Sequence, residues 1–383
     1  MATVNPRQAA HLYVKTPAEL ASLVKRLGRE TELAVDTEAA SFHRFIDRIY
    51  LIQVSTRHDN AIIDPLTVGD ATSFSALLAD PAIEVVFHDA DYDLRILDRD
   101  YGVRARRLFD TRIAAHLLGE PAVGLAALLE KYLGVHLDKK YQRADWSRRP
   151  LPREMLDYAA LDTHHLLPLR DHLRAELVAK GRLPWAEEEF LRLESVRWTP
   201  TPGNGDAALR MKGARTLSRR GLAVLQRLWH WRDSVAAELD RASFRVVSTE
   251  ALLALADKAP QSLEALHAIG GVSERLLETR AAAMLAAIEQ GLTVPERDLP
   301  RFPRGERRAN DPAFDQRVER LKVARNAAAV RLGLDPGVLC PKGTLEALAR
   351  AHPKTAAGLG DVPEMRKWQV EALGEDFLKA LAG

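Results

Sequence analysis

Asp36 and Glu38 stand two residues apart in ELAVDTE (32–38), an apolar alternating run that reads as a β-strand. The period of two puts both carboxylates on one face at the strand's end. Two carboxylates on one rigid edge can share hard divalent cations, although Asp-x-Glu by itself is a weak motif. A second acidic group follows in VVFHDADYDLRIL (85–97), where a buried strand runs to His88 and DADYD opens a helix. Asp93 falls in the first turn of that helix, where the helix dipole favours its charge, and Asp89 or Asp91 is the expected N-cap. The third group is DYAALDTHHLL (157–167), in which Tyr158 and Asp162 are four residues apart and so share a helical face. A phenol one turn from a metal-bearing carboxylate can position a water molecule. His164 and His165 point about 100° apart on a helix and are read as structural or surface residues.

Elements that alternate along the first half of the chain must hold these groups. Short apolar runs at 32–38, 48–55, 61–64 and 83–88 read as strands, and longer helical patterns follow, such as AALLEKYLG (126–134) and the leucine-rich stretch 156–177. Strands that arrive first as a meander and then alternate with helices predict an α/β sheet of mixed direction. Beyond it, TPTPGNGDAA (199–208) and the Pro- and Arg-rich 292–312 read as linkers. They divide the chain into 1–195, 210–291 and 313–383, with linkers at 196–209 and 292–312. The two later segments carry no strand signal and repeat one another at an offset of 93 residues without gaps. Arg232 aligns with Arg325, Leu239 with Leu332, Leu252 with Leu345, Pro260 with Pro353 and Leu285 with Leu378. One register through loops and helices alike predicts a duplicated all-α unit.

Composition narrows the class further. The 383 residues are 46% hydrophobic and 28% charged, ample for cores that need no covalent staple. A single cysteine, Cys340, excludes an internal disulfide and a cysteine-ligated zinc, and fits a reducing cytoplasm. There is no apolar run of transmembrane length and no apolar leader at the N-terminus. The net charge of +2 is balanced, but arginines collect at 142–150, 211–220 and 301–308, beside the expected joints, which suits a polyanion path. Lys139, Lys140, Arg143, Arg148 and Arg149 lead directly into the Tyr158 helix and are the candidate phosphate contacts. Trp229 and Trp231 could stack on bases, with packing in a helix bundle as the simpler role.

Taken together, DTE (36–38), Asp93 and YAALD (158–162) resemble the three motifs of the DEDD family of 3′→5′ exonucleases. Tyrosine four residues before the last aspartate places the resemblance in the tyrosine branch. LIQVS (51–55), LFDTRIAAHLLG (108–119) and YQRADWSRRPLPREMLDYAALD (141–162) are similar to the ribonuclease D group, which usually has serine where this chain has Ala144. The stretch WRDSVAAELDRASFRVVSTEALLALA (231–256) resembles an HRDC (helicase and RNase D C-terminal) domain, with 313–383 as a degenerate second copy.

The resemblance implies a ribonuclease H-like domain with a mixed five-stranded sheet, followed by two helical HRDC domains. It implies a metal-dependent 3′→5′ exoribonuclease releasing nucleoside monophosphates, with transfer-RNA precursors or other structured RNAs bearing a free 3′ end as substrates. Two Mg²⁺ or Mn²⁺ ions would be held by Asp36, Glu38, Asp93 and Asp162, with Tyr158 as the fifth catalytic residue. A cytoplasmic monomer without a membrane anchor is expected. Two alternatives stay open at this point: a DNA exonuclease of the RecQ-associated type, and a catalytically inactive RNA-binding protein.

Overall fold

The computed structural model describes residues 10–138, 140–200, 207–302 and 312–383. The N-terminal unit begins β1 (His11–Val14), α1 (Pro17–Leu27), β2 (Glu32–Ala39), β3 (Ile49–Ser55), β4 (Asn60–Ile63), α2 (Pro65–Val68) and α3 (Thr72–Ala79). It continues through β5 (Glu84–Phe87), α4 (Asp91–Tyr101), β6 (Leu108–Asp110), α5 (Thr111–Leu118) and α6 (Leu125–Leu133). Helices α7 (Arg153–His164), α8 (Leu166–Ala179) and α9 (Leu183–Leu193) complete it.

Six strands form one sheet in the order β1-β4-β3-β2-β5-β6, one strand more than the resemblance implies. The β4–β3 and β3–β2 pairs are antiparallel, and β1–β4, β2–β5 and β5–β6 are parallel, so the sheet is mixed as expected. Every residue of β3, β4 and β5 is buried, because helices cover both faces and apolar alternation becomes a continuous apolar run. Strand β2 lies centrally, and its ladder with β3 shifts register between Glu38 and Ala39, ending the regular strand where the two acids stand. The helix read across 156–177 is broken at His165 into α7 and α8. Helix α7 packs over β3, β4 and β2.

The remaining helices duplicate one another. The first copy is α10 (Arg219–Glu238), α11 (Ser243–Val246), α12 (Thr249–Lys258), α13 (Leu263–Ile269) and α14 (Glu274–Leu292). The second is α15 (Pro312–Leu332), α16 (Pro336–Leu339), α17 (Lys342–Ala351), α18 (Ala356–Gly360) and α19 (Lys367–Ala382). Every helix of the second copy starts 93 residues after its counterpart. The backbone repeats in detail: Asp240 and Gly333 both have positive φ, as do Ala259 and His352.

The two copies are docked differently. The first has a core of its own, built on Leu222, Leu228, Leu252, Leu255 and Ile288. Parts of the expected linkers belong to that core. Ala208 and Leu209 are buried in it, and Phe302 packs against it. Arg220 also donates to the carbonyl of Leu292, 2.9 Å away, and Arg219 to that of Leu299, 3.0 Å away. These two arginines of the 211–220 cluster therefore tie 292–299 to the first helical copy.

The second copy shares one continuous core with the N-terminal unit. Trp368 stacks on Trp185 at 4.9 Å and donates its indole N–H to Glu189. Glu188 accepts from the amides of Lys367 and Trp368, capping α19 from another element. Gly119, at φ +82, ends α5 so close to this copy that a Cβ there would sit 2.0 Å from the Gly333 carbonyl oxygen. The first copy touches the N-terminal unit at a narrower seam: Arg44 pairs with Asp240 at 3.1 Å, and the Ala242 amide donates to the His43 carbonyl at 3.2 Å.

Candidate active site

The sheet brings Asp36 and Glu38 to the mouth of a cleft of about 660 Å³, and α7 delivers Tyr158 and Asp162 to the same cleft. One carboxylate oxygen each from Asp36, Glu38 and Asp162 lie within 4.8 Å of one another. Asp93, in the first turn of α4, also lines the cleft and is buried. It accepts a hydrogen bond from the Thr37 hydroxyl, so the residue between the two strand acids fixes the helix acid. The five residues singled out from the sequence thus converge on one cleft.

The turn before α4 is not capped as the sequence suggests. Neither Asp89 nor Asp91 is the N-cap; that position is Ala90, without a side-chain bond. The cap comes from Asp110 instead. Its carboxylate accepts from the amides of Asp89 and Ala90 and from those of Arg112 and Ile113, serving two helix starts at once. Asp89 itself adopts φ +67, a left-handed conformation that aspartate tolerates, and pairs with Arg112.

The electrostatics of the cleft are those of an uncompensated acidic cluster. Burial, then the Asp162 charge, push Asp36 up to about 8. Burial pushes Asp162 up to about 7. Burial and the neighbouring acids also hold Glu38 and Asp93 well above the usual carboxylate range. Among the described residues no lysine or arginine is ion-paired with any of the four. Such a group is destabilised until cations neutralise it, and an all-oxygen donor set selects hard divalent ions. The residues present therefore fit a metal centre. The Tyr158 phenol is raised by burial and by Asp162, Glu38 and Asp36, so it keeps its proton and remains a donor. Tyr141 and Trp146 hold its ring, with centroids at 5.7 and 6.2 Å. Burial lowers His88 to about 4, leaving it neutral beside the Thr111 hydroxyl at 2.9 Å. His164 bonds Asn60 at 3.0 Å, the structural role expected of it.

The candidate phosphate contacts separate into three groups. Lys139 lies outside the described residues. Lys140, Arg143 and Arg148 are exposed, with Lys140 over the Tyr141 ring at 4.9 Å and Arg148 paired with Asp145 at 3.2 Å. Arg149 is a correction. Its guanidinium grips the fully buried Asp64 through two nitrogens, at 2.6 and 2.8 Å, and its remaining donors reach the carbonyls of Trp146, Arg148 and Tyr50. No donor is left for a phosphate, so Arg149 is a structural clamp. Trp229 and Trp231 are partly buried against the first helical core, in their simpler role.

Sequence reasoning missed Arg112, Gln142 and Gln53. Arg112 and Gln142 line the cleft; both fall in stretches quoted for the resemblance, 108–119 and 141–162, but nothing local sets them apart there. Gln53 is the direct cross-strand partner of Asp36, fully buried, and its amide has no hydrogen-bond partner among the described residues. Gln53 set among the apolar residues Leu51, Ile52 and Val54 was the available signal for it.

Comparisons with known proteins agree with this geometry. A 3′-5′ exonuclease family matches residues 12–178, and the HRDC domain family matches twice, at 221–288 and 314–381. Ribonuclease D of Granulibacter bethesdensis is 33% identical over 365 residues, covering 94% of this chain and 90% of that protein. The chain belongs to the ribonuclease D family. Two solved structures extend the likeness across its length. The crystal structure of Escherichia coli RNase D, described as an exoribonuclease involved in structured RNA processing, superposes with a TM-score of 0.73 at 29% identity. That match covers 98% of this chain and 99% of the other. A protein from Bifidobacterium adolescentis has a TM-score of 0.85 at 27% identity, covering 99% and 98%. The ribonuclease D family accounts for the mixed sheet followed by two helical units.

Proposed function

We propose that this 3′–5′ exoribonuclease removes nucleoside 5′-monophosphates one at a time from RNA 3′ ends at the Asp36–Glu38–Asp93–Asp162 cleft. The observation that carries the reading is the convergence of three carboxylate oxygens within 4.8 Å, in the cleft that Tyr158 also lines. Asp36, Glu38 and Asp162 would hold one divalent ion, and Asp36 with Asp93 a second, Mg²⁺ or Mn²⁺. Bound there, the ions supply Lewis acidity at the phosphate and lower the pKa of the attacking water. The chain's own residues orient the reaction. Tyr158, one turn before Asp162, holds the water in line with the last phosphodiester. Thr37 keeps Asp93 in place, and Arg112, which lines the same cleft beside Asp89, would meet the phosphate. Attack at phosphorus breaks the bond to the 3′-oxygen of the preceding nucleotide, which leaves as the new 3′-hydroxyl end.

Within this reading residues 1–195 carry the chemistry, and 210–291 and 313–383 are helical domains that support it. Structured RNAs with a free 3′ end, including transfer-RNA precursors, are the proposed substrates, and a cytoplasmic monomer is the proposed form. Among the described residues no helix is long and apolar enough to cross a membrane. Digestion of matched RNA and DNA oligonucleotides with Mg²⁺, Mn²⁺ or EDTA tests the proposal. Stepwise release of monophosphates from the RNA 3′ end, abolished by EDTA and by Asp36→Asn, is expected. Internal cleavage, preference for DNA, or full activity in EDTA would overturn it.

A further inference from the structure

Two phenylalanine rings are exposed side by side at the seam between the N-terminal unit and the first helical copy. Phe42 stands in the loop leaving β2, four residues after Glu38, and Phe244 stands in α11; they are 46% and 47% exposed. Their ring centres are 6.2 Å apart with planes at 80°. The seam does not depend on them alone, since Arg44–Asp240 and the His43–Ala242 main-chain bond join the same segments. The Arg143 guanidinium lies over the Phe42 ring at 5.4 Å, and the exposed Arg241 and Arg245 stand on either side of Phe244 in sequence. Among the described residues none of these three arginines is ion-paired. The loop is also tied to the rim of the cleft: Tyr92, which lines the cleft, donates to Asp47, and Gln142 lines the cleft next to Arg143.

We infer that Phe42 and Phe244 form a composite stacking site for unpaired bases of the RNA upstream of its 3′ end, with Arg143, Arg241 and Arg245 meeting the phosphates. Ring faces accept any base, and flanking guanidinium groups neutralise the backbone, which is the chemistry of sequence-tolerant single-strand binding. A duplex cannot offer its base faces to such rings. An apolar protein partner would leave the three guanidinium charges uncompensated against its surface. Each unit contributes one ring, so the site is complete only while the two units are docked, and RNA bound there strengthens the seam. The inference rests on the acids of β2 being the cleavage site, which sets the 3′ end close to the loop that carries Phe42.

The test is fluorescence anisotropy of a labelled twelve-nucleotide oligoadenylate with the full chain in EDTA. Phe42→Ala and Phe244→Ala each weaken binding about tenfold, the size of one base–ring stack. Phe42→Tyr and Phe244→Tyr, which keep the rings, retain affinity. The ring variants keep the wild-type salt slope, whereas Arg143→Ala or Arg245→Ala lowers it by about one counterion. With Mg²⁺, KM for the same RNA rises more than kcat falls in the alanine variants. A hairpin without an unpaired tail binds the ring variants like the wild type. Wild-type affinity for oligoadenylate in both alanine variants, or an equal loss for the tailless hairpin, overturns the inference. If the tyrosine variants fail like the alanine ones, the rings serve packing only. The binding arm uses no metal ion, so it reports on the rings even if Asp36→Asn were to leave cleavage intact, and that outcome would count against the catalytic reading alone.

Discussion

The hydroxyl of Thr37 donates to the buried carboxylate of Asp93, so the middle residue of DTE on β2 holds the acid supplied by α4. The strand and the helix are thereby locked around four acids that repel one another.

That repulsion predicts a pH-dependent fold in the absence of metal. Asp36 and Asp162 are raised to about 8 and about 7, above the ordinary carboxylate range. Between the unfolded and folded values the native state binds more protons than the unfolded state, so stability falls as pH rises through this window. In EDTA the thermal midpoint should rise as pH is lowered from about 8 toward about 5, and Asp36→Asn should flatten that dependence. Mg²⁺ at a hundred times its Kd should restore about 2.7 kcal/mol to the wild type at pH 8, and much less to the variant. Calorimetry with and without Mg²⁺ checks both signs.

Tyr158→Phe removes one hydroxyl and leaves the ring between Tyr141 and Trp146. Loss of a group that orients or relays a proton typically costs about 10²–10⁴-fold in rate, and the lower half of that range is expected here. RNA binding in Ca²⁺ should hardly change. Single-turnover cleavage with saturating enzyme measures it, and a loss of less than about threefold would take Tyr158 out of the reaction.

Arg149→Ala should act on stability before it acts on RNA. It strands the fully buried Asp64 without its charge partner, and breaking such a pair costs about 3–5 kcal/mol. Urea denaturation reads this directly. Arg148→Ala, at an exposed neighbour, should leave the urea midpoint in place.

The two helical copies should fail differently. Trp368→Ala removes the ring stacked on Trp185 and should destabilise the shared core, and with it the cleft, by about 3–5 kcal/mol. Leu252→Ala, in the separate core of the first copy, should cost about 2–5 kcal/mol there. Hydrogen exchange should show the second loss confined to 208–292 and the first spread through the sheet. On the same grounds a truncation after residue 205 strips an apolar face from the N-terminal unit, so it cannot isolate the contribution of the helical copies to RNA binding.

Much of this arrangement was legible in the residues. Strands β2 to β5 announce themselves as apolar runs, and the repeat declares itself because one register survives loops as well as helices. Strands β1 and β6 did not, since HLYV and LFD are four and three residues long and exist only through pairing with distant neighbours. The cap of α4 was invisible for a similar reason: Asp110 comes from the neighbouring strand β6, about 20 residues further along the chain, while the nearby aspartates look better placed. Arg148 and Arg149 are indistinguishable as text, yet one lies in solvent and the other grips Asp64, a difference made by which side of the chain faces the buried Asp64 and the Tyr50 carbonyl. Nothing in two matching helical patterns says which copy will fuse to the sheet. That depends on side chains such as Trp185 and Glu189, which lie outside both copies.

Helix α5 begins at the cleft with Arg112 and ends at Gly119, back to back with Gly333. Arg182 pins the two turns together by donating to the carbonyls of Leu117 and Leu332, and the Gly119–Gly333 main-chain contact beside it has almost no tolerance. Any residue with a Cβ at 119 would act as a wedge, lifting the last helical copy and tilting α5. The Arg112 end of α5 is therefore braced from behind by a turn at Gly333, which the ribosome makes long after the acids themselves.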